Sequence, residues 1–144
     1  MPFQGRDEVQ FSDGSTAQRV AIVDADGAHL PGLGGAISVK RAAISASSGG
    51  DNELVVAVSE KKIKVLAVFL VAKEAVDITF YSDNQSGGTA LTGTISLTDN
   101  EGFVLPGPTN PGMHWMETAA GKKLNLYLSA AKQVSGCLLY YEGV

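Results

Sequence analysis

Residues 65–72 read Val-Leu-Ala-Val-Phe-Leu-Val-Ala, with no polar break. A strand sends alternate side chains to opposite faces, so a strand with one wet face alternates apolar and polar residues. This run does not alternate. It is too short to cross a bilayer as a helix, and its β-branched and aromatic content favours a strand. Both of its faces therefore need cover. In a small all-β domain one face meets the core, and the other is expected to meet a second subunit. Val65, Leu66, Val68 and Leu70 are the expected oligomer interface residues.

The chain has 144 residues and a formal charge of −4. That length suits one domain with a tail, large enough to be stable without a disulfide or a metal. The acidic balance disfavours a nucleic-acid partner, which needs clustered cations. The adjacent basic pairs are Lys40-Arg41, Lys61-Lys62 and Lys122-Lys123, and two of them fall at expected turns. Cys137 is the only cysteine, so no intrachain disulfide forms, and in a strand-like segment it reads as a small buried hydrophobe. Residues 1–10 lack the apolar run of a signal peptide. No stretch suits a membrane-spanning helix, so no membrane partner is expected.

The composition changes near Gly35. Residues 1–35 are rich in Gly, Asp, Gln and Ser, with one apolar burst at Val20-Ala21-Ile22-Val23 and a turn at Asp24-Ala25-Asp26-Gly27. So few apolar residues cannot form a core. The segment reads as an extended N-terminal arm that orders against a neighbour or stays mobile.

Residues 36–144 carry short β-like runs between turn signals. The expected strands are 37–46, 53–59, 63–72, 76–81, 90–97 (bent at Gly93), 103–105, 114–118, 124–128 and 134–142. Evenly spaced short strands without a convincing helix predict an antiparallel β-sandwich. Two sheets with one long Pro/Gly connection at 106–112 suit a jelly-roll topology, with an immunoglobulin-like order left open.

A search for catalytic chemistry yields little. His29 and His114 have no second histidine or cysteine at metal-ligand spacing. No Gly-x-Ser-x-Gly elbow is present. Gly32-Leu33-Gly34-Gly35 and Gly87-Gly88 lack the Gly-Lys-Ser/Thr and helix start that a phosphate loop requires. Asp24-Ala25-Asp26-Gly27 lacks the remaining ligands of a calcium loop. No catalytic residue, metal or cofactor is expected. A β-sandwich enzyme would need His114, Glu117 or Asp99 to converge in a cleft.

Trp115, His114 and Tyr127 are the candidate ligand or partner contacts. Trp115 and Tyr127 could offer aromatic surface to a sugar. Met113 and Met116 flank the tryptophan, however, and Met–aromatic contacts favour a core or a protein interface. Tyr140 and Tyr141 are adjacent on a strand and point to opposite faces, so they form no single platform.

Several stretches together resemble a known family. Glu53-Leu54-Val55-Val56-Ala57-Val58 precedes Lys62-Ile63-Lys64-Val65-Leu66. Gly87-Gly88-Thr89-Ala90-Leu91-Thr92-Gly93, Met116-Glu117-Thr118-Ala119-Ala120-Gly121 and Leu124-Asn125-Leu126 with Leu128-Ser129-Ala130 follow. Val134-Ser135-Gly136, Leu138 and Tyr140 close the set. The pattern resembles the capsid decoration (cement) and head-fibre proteins of tailed bacteriophages, and residues 20–27 resemble leader segments of phage structural proteins. The resemblance implies a virion structural protein that decorates and stabilises a phage capsid as a trimer. It implies contact with the phage major capsid protein, a place on the outer surface of the capsid, and synthesis in the host cytoplasm. It brings no catalytic residues. A cyclic trimer would bury the second face of residues 65–72, and many weak contacts over a shell would add up. The alternative reading is a carbohydrate-binding or host-attachment module of a phage tail or head fibre.

Overall fold

A computed structural model describes residues 37–110 and 112–144, together with the backbone pairing of two short strands nearer the N-terminus. The chain divides into two units, 1–36 and 37–144. In the first, β1 (Val9–Gln10) pairs antiparallel with β2 (Thr16–Ala17). The strand expected at Val20–Val23 and the rest of the arm lie outside the described residues.

The second unit is all β, with no helix among the described residues. Its elements are β3 (Lys40–Ala46), β4 (Gly50–Val55), β5 (Lys62–Ala72), β6 (Val76–Ser82), β7 (Thr89–Ala90), β8 (Ile95–Leu97), β9 (Gly102–Leu105), β10 (Met116–Glu117), β11 (Leu124–Leu128) and β12 (Val134–Gly143). They form two antiparallel sheets. In the front sheet β12 lies between β3 and β5, and the far side of β5 carries both β9 and β10. In the back sheet β11 lies between β4 and β6, and the far side of β6 carries both β7 and β8. Each outermost strand is thus split into two pieces, by residues 91–94 in one case and 106–115 in the other.

The inner faces of the two sheets share one core. Ile44, Ile63, Val65, Val68, Leu70 and Leu138 from the front sheet join Ile78, Phe80, Leu124, Leu126 and Leu128 from the back. Phe80 of β6 and Phe103 of β9 meet across the sandwich with ring centroids 6.5 Å apart. At one rim the Ser82 hydroxyl accepts from the Ala119 amide at 2.9 Å and joins the sheets where β6 and β10 end.

The turns match their chemistry. Asn100 and Gly121 adopt positive φ in the β8–β9 and β10–β11 turns, a conformation those residue types tolerate. Glu60 does so in the β4–β5 turn, which the bond from Lys61 N to Val58 O closes at 3.1 Å. Gly136 meets a different constraint: a Cβ there would lie 1.9 Å from the Phe69 carbonyl oxygen and 2.7 Å from Leu70 Cα. The closeness of β12 to β5 therefore depends on the absence of a side chain at this position.

Several strands differ from their expected form: the run 90–97 is divided between β7 and β8, the run 114–118 shortens to β10, and β4 and β5 depart in register. β4 starts at Gly50 and ends at Val55, earlier than the apolar run 54–58 suggests. Asp51 and Asn52 pair with Tyr127 and Leu126, and Asn52 donates to the carbonyls of Ser48 and Gly50 at 2.8 and 3.0 Å. Tertiary pairing overrides local propensity here, and Val56 is left exposed. In β5 the partner of Leu139 is Ala67 and the partner of Tyr140 is Val65. Leu66 is therefore an extra residue, a β-bulge that shifts the alternation by one.

Candidate functional site: the outer face of the front sheet

The bulge decides which side chains of β5 face outward. Before it Ile63 and Val65 point into the core; after it Val68, Leu70 and Ala72 do. Val65, Val68 and Leu70, three of the four residues expected at an oligomer interface, are at most 2 % exposed inside this single copy. They cannot touch a second copy, and that expectation is corrected. Leu66 is half-buried at the bulge. The outward set after the bulge is Ala67, Phe69 and Val71. The uninterrupted run thus has the cause proposed for it, apolar side chains on both faces, with the parity of the two faces exchanged.

Neighbouring strands extend this apolar surface. Val104 of β9 pairs with Phe69, and Cys137 and Leu139 of β12 pair with Phe69 and Ala67 from the other side. Phe69 is 51 % exposed, Val104 59 % and Leu139 38 %. The segment between β9 and β10 adds Trp115 at 51 % and Met113 at 55 %. The Trp115 indole N–H donates to the Pro106 carbonyl at 2.6 Å, which closes the base of the 106–115 excursion. The Trp115 amide donates to Val65 O at 2.9 Å and holds the tryptophan against β5. Five of the eight exposed large hydrophobic residues among the described ones lie on or beside this face. A shallow groove of about 270 Å³ runs through it, bordered by Phe69, Val104, Leu105, Pro106 and Leu139, with the short side chains of Ala67 and Cys137 at its floor.

A charged cluster bounds the patch at the Lys62 end of β5. Glu117 accepts from Lys62 Nζ at 2.8 Å, lies 4.0 Å from Lys64 Nζ, and meets His114 Nε2 at 3.2 Å. The Lys62 hydrogen bond holds the Glu117 carboxyl below the usual glutamate range; the charges of Lys62, His114 and Lys64 act in the same direction, and partial desolvation opposes them. Lys64 also sits 5.6 Å from the centre of the Tyr141 ring. His114 Nδ1 is buried and has no partner.

The three candidate contact residues do not come together. His114 and Trp115 belong to the front sheet. Tyr127 lies on the outer face of the back sheet, edge-on to Tyr81 at 6.3 Å. Nor do His114, Glu117 and Asp99 share a cleft. Asp99 accepts from the Ala75 amide at 2.7 Å beside the far end of β5, whereas Glu117 pairs with Lys64. Among the described residues no three His, Cys, Asp or Glu side chains group as metal ligands.

Sequence reasoning missed Phe69, Val104, Leu139 and Met113 as exposed residues. The available signal was apolar residues at both parities of three separate runs, 65–72, 103–105 and 134–141. Once those strands are neighbours, the second parity forms a continuous stripe. It also missed a polar network on the back sheet. Asn125 is fully buried on the outward side, where its amide donates to Asp51 Oδ1 at 2.6 Å. The same Asp51 oxygen accepts from the Gln85 amide at 2.9 Å.

Scanned against models of protein families and against curated proteins, the sequence finds no match.

Proposed function

We propose that this protein is a structural part of a tailed-phage virion, added to the outer surface of the capsid as a trimer that braces the shell and contacts the major capsid protein. The observation that carries the reading is the exposed apolar face built by Phe69, Val104, Leu139, Trp115 and Met113. A sandwich needs apolar side chains only on its inner faces. At roughly 150–250 Å² per aromatic side chain, Phe69 and Trp115 half exposed leave about 200 Å² in water. With their neighbours they approach the few hundred Å² at which a patch signals an interaction surface.

The strand order supports the same reading at the level of fold. Counting β7 with β8 and β9 with β10 as one split strand each leaves eight. In the front sheet the first lies beside the eighth, the eighth beside the third and the third beside the sixth. In the back sheet the second lies beside the seventh, the seventh beside the fourth and the fourth beside the fifth. We read this connectivity as a jelly roll. The arm over residues 1–35 would add contacts to neighbouring subunits.

Light scattering on the purified chain, followed by electron microscopy of capsids with and without it, tests the proposal. A trimer that appears as regular density on the outer shell is the expected result. A monomer at micromolar concentration that leaves capsids bare would overturn it.

A second reading, a carbohydrate-binding or host-attachment module, is favoured by one observation. On the back sheet Tyr81 and Tyr127 stand beside the exposed carboxylate of Asp51, a combination of aromatic surface and a hydrogen-bonding group that suits a sugar. Glycan-array binding that disappears in Tyr127→Ala would establish this reading, and no glycan signal at all would remove it.

A further inference from the structure

The front face carries a projecting part and a recess side by side. The projecting part is the Met113–Trp115 corner, where both named side chains are more than half exposed. The recess is the groove above Ala67 and Cys137. An apolar cavity of roughly 150 Å³ accepts a benzene ring, so a groove of about 270 Å³ has room for an indole or a thioether. The chain's own Trp115 is tethered by its indole N–H to Pro106 at the groove's edge. It does not line the groove.

We propose that the groove is filled by the Met113–Trp115 corner of a second copy of this chain. This rests on the reading of the protein as an assembling structural part, and it names what covers the apolar face. Three observations favour a second copy as the occupant. Residues 106–115 contain no Lys, Arg, Asp or Glu, and the groove lining contains none either, so docking one on the other strands no charge away from water. Each copy also uses both parts at once, which doubles the apolar area withdrawn per subunit. A stable interface takes about 800 Å² per partner around a few aromatic anchors. The apolar patch supplies the anchors, and Arg41, Lys62, Lys64 and Glu117 supply a polar rim. Finally, corner and groove lie side by side on one face, so a copy can offer its corner while its own groove receives another's, and where the rotation between copies closes such contacts make a ring.

The test uses the full chain and its single thiol. In the assembled protein, modification of Cys137 by a maleimide slows about tenfold or more relative to the unassembled chain, because the thiol lies under the neighbour's corner. The double variant Met113→Asp/Trp115→Asp is monomeric, with unchanged circular dichroism and a thiol that reacts as fast as in dilute wild-type protein. Wild-type protein alkylated at Cys137 while dissociated, with a bulky maleimide, is also monomeric. Mixing these two species restores one corner-in-groove contact and yields one-to-one heterodimers by light scattering. If the double variant still forms the wild-type oligomer, or if Cys137 in the oligomer reacts as fast as in the dissociated chain, this contact is wrong and the structural-part reading stands on another face. A wild-type monomer that still decorates capsids likewise ends the self-contact alone. A wild-type monomer that ignores capsids ends both.

Discussion

The outer faces of the two sheets form one sandwich and are built on opposite principles. Behind each lies the same alternation, Val68 and Leu70 in front and Leu126 and Leu128 behind, all buried. Outside, the front sheet shows Phe69, Val104 and Leu139 to water, while the back sheet shows Asp51 and Glu53 flanking Asn125 and Tyr127. The back face is largely bonded to itself: Asp51 ties Asn125 to the 83–88 loop, Lys123 lies 3.6 Å from Glu53, and Lys122 pairs with Asp83 at 2.8 Å, while Asn125 Oδ1 is buried without a partner. The front face contains nothing comparable beyond the cluster at its end. A fold that can bond a polar face internally on one side does not need an apolar one on the other. On the function proposed above, the difference belongs to what the front face touches.

The sharpest way to break the comparison is to treat the same residue type on an inner and on an outer face of the sandwich. Phe80→Ala empties a fully buried site and costs about 3–5 kcal/mol in urea unfolding. Phe69→Ala leaves monomer stability within about 0.5 kcal/mol but weakens association. Equal losses of stability would mean that the front face is already covered within one copy.

Gly136→Ala comes next. The added methyl meets the backbone of Phe69 and Leu70, which cannot rotate away, so β5 and β12 must separate at a cost of about 3 kcal/mol. Thermal unfolding followed by circular dichroism should show a marked drop in midpoint. A midpoint unchanged from wild type would show that the two central front strands tolerate more space than their geometry implies.

Smaller is the effect of Asp51→Ala on the back face. It leaves the Asn125 amide and the Gln85 N–H without their acceptor, for about 1–3 kcal/mol. Hydrogen exchange at Gln85 should quicken along with the loss. If only the global stability changed while Gln85 stayed protected, the network would not be what holds the loop.

Smallest is the acid response of the cluster that bounds the patch. Glu117 has a folded pKa below its unfolded one. It contributes stability that is fully present above the ordinary glutamate value of about 4.3 and is lost as pH falls through the lower folded value. Because the carboxylate is over a third exposed, solvent screens the effect and it stays small. Glu117→Gln should slightly flatten the stability profile below about pH 4.3 and leave the neutral region's shape alone; an unchanged acid limb would show that the bond from Lys62 adds nothing to folding.

Much of the architecture was legible in the sequence. The alternation of Leu124, Leu126 and Leu128 and the turns at 99–102 and 119–122 each carry a local physical signal that tertiary structure kept, whereas the strand expected over 90–97 is interrupted by residues 91–94. The candidate site was legible in kind but not in residues. That one run has two apolar faces follows from composition; which residues belong to which face depends on a single inserted residue, and Leu66 looks like any other member of the run. Asn125 shows the converse limit. It occupies the polar phase of a clean alternation and reads as solvent-facing, yet Asp51 and the 83–88 loop close over it, and no pattern within 124–128 records partners so distant in the chain.

The bulge at Leu66 works as a phase change between two independently keyed halves of one strand. The residues before it set the ionic border and those after it set the greasy surface, and each half keeps its own alternation. Removing Leu66 would straighten the strand and leave Phe69 outward and Val68 and Leu70 inward, because the residue lost is the one without a partner. Pairing the strand straight through with Leu66 retained would instead slide one past the other, turning Phe69 toward the interior and sending Val68 and Leu70 outward. In this protein the side each apolar residue takes is thus written in the count of residues as much as in their identity: one extra residue, absorbed by a bulge, keeps Val68 and Leu70 inside and Phe69 out.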